Sequence, residues 1–525
     1  MKFTKSISII ISATLLLTGC DDFLEPNSKS EFIPKDATSL NELLLGEAYQ
    51  RNDMDGFNIF LGLLEDDVEA APYQKPNTGF QEDKYLASFT WQPDMFNMME
   101  EASAGHINMY EKYYELILGA NAVLDYLPEI VDTEEMINIV KAQAHALRGF
   151  YYFNLVNIFG QPYNYNKDAL GVPLKLQSGI EESEEYLKRK TVAEVYDQIL
   201  KDLHTADSIY DMLPEEQRWK RNFRTSKPMV QLMLSRTYLY MENWAEASKY
   251  AKLVMENSNF KLVDLNDIPK KGKDDAGKET RNYLIFPTYD SSETIWPYGS
   301  VKDMFQWTYN EANSSNPNNN NIKMHAYFQA SQDLISTFKG YDLRLKRYIV
   351  EAPLDSMIED SDGLMTMAFG KVYVGTQYYL PKNEVGIFGR CLRLSEAYLN
   401  YAEAEANLGG EGVYNAAETL TELRKNRFDY EDDFEVYITD KEELLDFIKN
   451  ERRRELCFEG HRWFDLRRWG MPEIRHVWHE SKTKSVEYIL KEKDLMYTVP
   501  IPDEACEENV QLEQNELPGK RTPTP

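Results

Sequence analysis

With 525 residues, the chain is long enough for a large core or several packed subdomains. Its 87 Asp and Glu against 58 Lys and Arg leave a formal charge of −29, which repels phosphate and argues against nucleic acid as a partner and against direct docking on anionic lipid. Aromatic residues make up 13% of it, with 34 tyrosines, an excess that suits a wet binding surface because such rings are apolar at one end and polar at the other.

The first element in chain order is a targeting segment. Lys2 and Lys5 precede an apolar run from Ile7 to Leu17 that is too short to span a bilayer, and small residues then lead into Cys20. Residues 1–19 are therefore expected to be a cleaved signal peptide and residues 20–34 a tether. Leu17-Thr18-Gly19-Cys20 resembles the lipobox of bacterial lipoproteins, which implies acylation of Cys20 (palmitate among the chains) and a stable membrane anchor. The plainer alternative is a secreted protein whose Cys20 is incidental. No later stretch approaches the ~18 uninterrupted apolar residues of a membrane helix. Cys391, Cys457 and Cys506 form no C-x-x-C pair and no disulfide framework, so they read as small buried hydrophobes.

Helical spacing of apolar residues governs 35–260. Lys35 to Tyr49 is a short helix opening at Pro34. Ile107 to Tyr126 carries Tyr110, Tyr114, Ile117, Ala120 and Val123 on one side and stops at Pro128. Glu134 to Phe159 is striped by Val140, Ala144, Leu147, Tyr151 and Leu155 and stops at Gly160. These two are expected to pair antiparallel. Thr191, with Glu194 three residues on, forms a capping box for a helix running to Pro214. Pro228 to Met255 reads as helix, turn, helix, and Arg393 to Arg424 as another with its turn at Gly409-Gly410. Both resemble degenerate tetratricopeptide units, and several such pairs in a row predict a curved, mainly α scaffold.

Residues 261–384 interrupt that pattern. Asn313 to Asn321 is a polar tract that reads as a surface loop, and Tyr283 to Phe286 and Val372 to Leu380 are short β-like runs. The expectation is a loop-rich elaboration with a few short strands, carried by the scaffold and presenting the binding residues.

Residues 385–525 return to helix. Thr439 with Glu442 predicts a capping box for a helix through Leu444, Leu445 and Ile448. From Glu451 to Arg468 the charges alternate in sign as structural ion-pair networks do, and Trp463, Phe464 and Trp469 are bulky enough to lock the stretch into a core. A nucleic-acid role for this Arg/Trp mixture is the sharper alternative, and the global charge opposes it. Glu451-Arg452-Arg453-Arg454-Glu455-Leu456, Phe458-Glu459-Gly460-His461-Arg462-Trp463-Phe464-Asp465, Tyr497-Thr498-Val499-Pro500-Ile501-Pro502 and the upstream Ala146-Leu147-Arg148-Gly149-Phe150-Tyr151 together resemble the SusD/RagB family of outer-membrane nutrient-uptake lipoproteins. The resemblance implies a SusD-like fold of tetratricopeptide-like helix pairs. It also implies a lipid-anchored protein of the cell outer membrane that faces the exterior, binds a glycan and caps a SusC-like, TonB-dependent barrel. Asp21-Asp22 resembles the acidic export signal of such proteins.

No catalytic motif stands out: H-E-x-x-H, G-x-S-x-G and a phosphate-binding glycine loop are all missing from the sequence. Neither a metal nor a cofactor is expected. Only His476 and His479 have ligand-like spacing, and Asp360-Ser361-Asp362-Gly363 lacks the distal Glu of an EF-hand. For a sugar, a ring platform beside polar acceptors is the better chemistry. Trp91, with Asp67 upstream, and the cluster Trp296, Tyr298, Trp307 and Tyr309 are the candidates, each weighed against a place in the core. A non-enzymatic glycan-binding protein is the expected reading. A peptide-binding RagB-like protein, a surface glycoside hydrolase with two carboxylates at a defined separation, and an adhesin are its rivals.

Overall fold

The computed structural model describes residues 34–54, 56–70, 85–102, 107–179, 184–268, 271–273, 279–281, 286–300, 303, 308–311, 323–326, 328–349, 351–353, 366–368, 386, 388–430, 434–481 and 483–524. The lipobox, the Asn313 to Asn321 tract, Asp360 to Gly363, the run at Val372 to Leu380 and all of Tyr283 to Phe286 except Phe286 lie outside them.

Ten helices form the scaffold: α1 (Ala37–Glu47), α2 (Met109–Tyr126), α3 (Glu134–Phe159), α4 (Val192–Met212), α5 (Lys227–Tyr240), α6 (Trp244–Met255), α7 (Leu394–Leu408), α8 (Glu411–Lys425), α9 (Lys441–Leu456) and α10 (Arg462–Arg468). Their starts follow from capping chemistry. Thr133 accepts from the Met136 amide to open α3, and Thr191 and Glu194 form the expected reciprocal box on α4. On α9 the cap falls one residue later than the sequence suggests. The Asp440 carboxylate accepts from the Glu443 amide at 3.0 Å, because an anion suits the positive helix end better than the hydroxyl of Thr439.

From α1 to α7 each helix packs on the next, and α7 then packs on α8 and α9. This is the predicted stack of helix pairs. α3 is its axis: almost every residue from Val140 to Phe159 is buried, as a helix enclosed on all sides requires. At Gly119 a Cβ would lie 2.4 Å from the Glu47 carbonyl oxygen, so the backbones of α1 and α2 cross where only glycine fits. The far end of α3 is capped from a distance. Arg189 and Asn515 each donate to the Phe159 carbonyl at 3.0 Å, Arg467 donates to the Gly160 carbonyl, and the Val499 amide donates to Ile158 at 3.1 Å. Two guanidinium groups thus meet the negative end of a long helix dipole.

The strands are short and antiparallel. β1 (Val68–Ala70) pairs with β7 (Phe328–Ala330), β2 (Leu170–Pro173) with β3 (Arg189–Thr191), and β4 (Thr294–Tyr298) with β8 (Arg390–Arg393). β5 (Thr308–Glu311) pairs with β6 (Lys323–Ala326), and β9 (Ile474–Ser481) with β10 (Lys484–Leu490). The chain leaves the scaffold at Met255 and returns at Leu394, yet α6 and α7 lie directly against each other. Cys391 and Cys457 are buried and Cys506 is half-buried, and none of the three forms a disulfide among the described residues.

Candidate functional site

The middle excursion is rooted on α9. Glu451, Arg452, Arg453, Arg454 and Glu455 are all buried there, and a buried charge without a partner is strongly destabilising. Each therefore finds one. Glu455 accepts from Arg393 at 2.7 Å, Arg344 at 3.0 Å, Arg427 at 3.0 Å and the Tyr348 hydroxyl at 3.2 Å. Arg393 and Arg427 also share Glu293, at 3.0 and 2.6 Å. Burial pushes the Glu451 carboxyl up, but Arg344, Arg454 and Arg424 outweigh that and hold it well below the usual carboxylate range. Arg452 pairs with Asp465 at 2.8 Å. The alternating charges are thus a structural network, and Glu293, Arg344 and Tyr348 are the points where the excursion enters it.

A second foot lies at Glu65-Asp66-Asp67. Arg462 grips Asp66 through two bonds of 2.7 and 2.8 Å, and Arg453 donates to Asp67 at 2.6 Å. Burial opposes ionisation of Asp66, but Arg462 and Arg453 win and hold its pKa at about 2. Asp67 lies deeper, and burial pushes its carboxyl up despite Arg453. Ser331 ties the excursion to this foot, its amide to the Asp67 carbonyl and its hydroxyl to the Asp66 carbonyl, both at 2.8 Å. Beside the foot, His476 of β9 is sandwiched between Phe89 and Trp91, with ring centroids 4.1 and 4.2 Å away. Its Nδ1 lies 2.7 Å from the Phe89 carbonyl and its Nε2 3.1 Å from the Glu65 carbonyl. Only an imidazolium donates to both. Burial holds its pKa down at about 4, so at neutral pH we assign the single proton to Nδ1, which makes the shorter contact.

Four of the six residues expected to contact a ligand are interior, which corrects the sequence reading of them as loop platforms. Asp67 and Trp91 are 0% exposed, Trp296 1% and Tyr298 9%. Trp91 donates its indole N–H to the Leu64 carbonyl at 3.0 Å. Trp296 stacks on Tyr298 at 4.7 Å, meets Phe150 edge-on at 5.0 Å and donates to the Phe223 carbonyl at 2.7 Å. Every residue of β4 is buried because that strand pairs with β8 and lies over the scaffold. Such rings present no face to a sugar. Trp307 lies outside the described residues. Tyr309 sits on β5, in register with His325 of β6, within the excursion.

Concave surfaces escaped the sequence reading. One cleft of ≈ 210 Å³ forms where residues 161–170, 493–498 and 514–516 converge, with Tyr165 on its wall. A larger one, ≈ 520 Å³, lies between α1 and α2 and includes Tyr49, Arg51, Lys112 and Leu118. Their parts are distant in sequence, so no local pattern marks them.

Two family models match the chain: residues 24–239 match one described as "starch-binding associating with outer membrane", and residues 388–519 match the SusD family. A SusD-like protein of Formosa agariphila is 24% identical over 526 residues, spanning 89% of this chain and 92% of its own. A SusD superfamily protein of Bacteroides thetaiotaomicron superposes with a TM-score of 0.63 at 21% identity, covering 92% of this chain and 100% of its own. A SusD-like carbohydrate-binding protein of Bacteroides vulgatus superposes with a TM-score of 0.62 at 19% identity, covering 91% and 98%.

Proposed function

The chain belongs to the SusD/RagB family, and from that premise we propose that it is a lipid-anchored protein of the outer membrane's exterior face that binds a nutrient oligosaccharide and passes it to a SusC-like, TonB-dependent barrel. The observation that carries this reading is the order of matches: the starch-binding model over the N-terminal helices, the SusD model over the C-terminal ones, on a fold shared across nine-tenths of the chain. Cys20, behind its signal-like segment, supplies the tether. With the four interior residues removed from consideration, Trp307 and Tyr309 of the excursion are the remaining candidates for sugar contact, in a body whose scaffold is rigidly packed.

Binding without catalysis is supported by the state of four carboxylates in the buried ion-pair network. Glu293, Glu451, Glu455 and Asp465 each face one or more guanidinium groups at 3.1 Å or less. A carboxylate so held is a poor proton donor and a poor nucleophile. Incubation with a panel of oligosaccharides should give binding by isothermal titration without new reducing ends. Product formation would replace this reading with the hydrolase, and heat released only by peptides would replace it with the peptide binder. Trp307→Ala should weaken oligosaccharide binding about tenfold, the order expected for loss of one stacked ring; an unchanged affinity would remove it from the site. Cys20→Ala should release a folded, binding-competent protein from the membrane, and failure to recover a large barrel with the wild-type protein in detergent would count against the transporter partnership.

A further inference from the structure

We propose that the ≈ 210 Å³ cleft beside the C-terminal segment is a separate binding site for a single neutral sugar ring. None of residues 261–384 lines it, so it stands or falls independently of the oligosaccharide reading. Its volume is below the ~300 Å³ at which pockets for drug-sized ligands begin, which suits one pyranose rather than a chain.

The wall of the cleft is part apolar, and that part is open to water. Tyr165 is 53% exposed, Leu170 39% and Leu495 37%. Three large apolar side chains converging on one opening form the kind of patch that marks a contact site. The Tyr165 ring offers a face for the C–H side of a sugar, its other end reaching water. Polar side chains share the lining, Gln161 and Thr498 among them, as recognition of a hydroxylated ring requires.

The floor is strained. Met471 and Lys493 both adopt left-handed backbone, each with φ 55°, and the Lys493 amide donates to the Met471 carbonyl at 2.8 Å. Non-glycine residues in that region cost ~1–3 kcal/mol each and gather at ligand clamps.

Charge decides the ligand class. Arg189 lies at the back, but its N–H groups are committed to the carbonyls of Gly171 at 2.7 Å, Phe159 at 3.0 Å, Leu170 at 2.9 Å and Glu513 at 2.9 Å. Asp494 is held by Arg521 at 2.9 Å, and Glu516 sits on the wall. Lys493 lines the cleft too, so Arg189 and Lys493 balance Asp494 and Glu516 and the lining carries no net charge. A hydroxylated, uncharged ring fits that balance.

The test is ligand-observed NMR on the mature protein with glucose, galactose, mannose, N-acetylglucosamine and glucuronate. At least one neutral sugar should bind with a Kd on the order of 1 mM, and glucuronate no more tightly. Tyr165→Ala should weaken that sugar about tenfold with Tm unchanged, since Tyr165 is exposed. Leu495→Glu, which blocks the mouth, should abolish binding, and Trp307→Ala should leave it intact. Absence of binding by all four neutral sugars overturns the proposal. So does an affinity that survives both Tyr165→Ala and Leu495→Glu, or tighter binding of glucuronate than of glucose.

Discussion

The helical stack and the excursion it carries differ in how far buried charge sets their attachment. In the stack, consecutive helices bury apolar faces against one another, and α3 is enclosed from Val140 to Phe159. The excursion adds a denser set of buried charges to its apolar contact: Trp296 packs on Phe150 of α3, while Arg344 and Tyr348 meet Glu455, Glu293 shares Arg393 with it, and Ser331 is tied to Asp66. Apolar burial is non-directional and tolerates local slack, whereas a buried ion pair demands fixed geometry. The excursion is thus fastened at a few stiff points of fixed geometry.

The sharpest way to break this comparison is Glu455→Ala. It leaves Arg393 and Arg427 with Glu293 as their one shared carboxylate and takes from Arg344 one of its three, and removal of one partner from a buried pair costs ~3–5 kcal/mol. Urea unfolding should show that loss, together with early protease cleavage within 261–384. A loss no greater than that of an exposed pair would mean that the excursion is held by packing after all.

Next in size is the second foot. The folded His476 ring resists protonation until about pH 4, whereas an unfolded one takes its proton near 6.5. A depressed folded pKa of this kind destabilises the fold as pH falls from 6.5 towards 4, by about 3 kcal/mol at full effect, and is without consequence above that window. Urea midpoints measured across pH 7.5 to 4 should show this slope, and His476→Phe should flatten it. An identical slope in that variant would place the sensitivity elsewhere.

The smallest effect belongs to the stack. Thr191→Ala removes the box at the start of α4 and should cost ~1 kcal/mol. Here the expected outcome is a lowered Tm with the protease sensitivity of 261–384 unchanged. If that region loosened too, the two parts would be energetically one.

Much of the stack was readable because its determinants are local. Helix α3 runs from Glu134 to Phe159 and stops at Gly160 as the sequence proposes, and the Thr191 box is present with both of its bonds. The charge alternation from Glu451 onward likewise read correctly as an ion-pair network, although its partners Glu293, Arg344 and Asp67 could not be named from spacing. The aromatic candidates show where local reading ends. Trp91, close to Pro93 and outside any helical period, has the local signature of a loop residue; its burial is imposed by His476, far along the chain. Trp296 is covered in the same way by Phe150 of α3 and by the pairing of β4 with β8.

That α6 and α7 lie flush against each other across the mouth of the excursion has a consequence for how such a protein can diversify. The two chain crossings sit side by side, so what hangs from them is a closed loop on a fixed base. Closure entropy grows only logarithmically with length, about 0.6 kcal/mol for each doubling. An insertion that kept Glu293 at one end and Arg393 at the other would strain no helix. The region beyond can be lengthened, trimmed or exchanged as a cassette, altering what the molecule grips while its foundation keeps one shape.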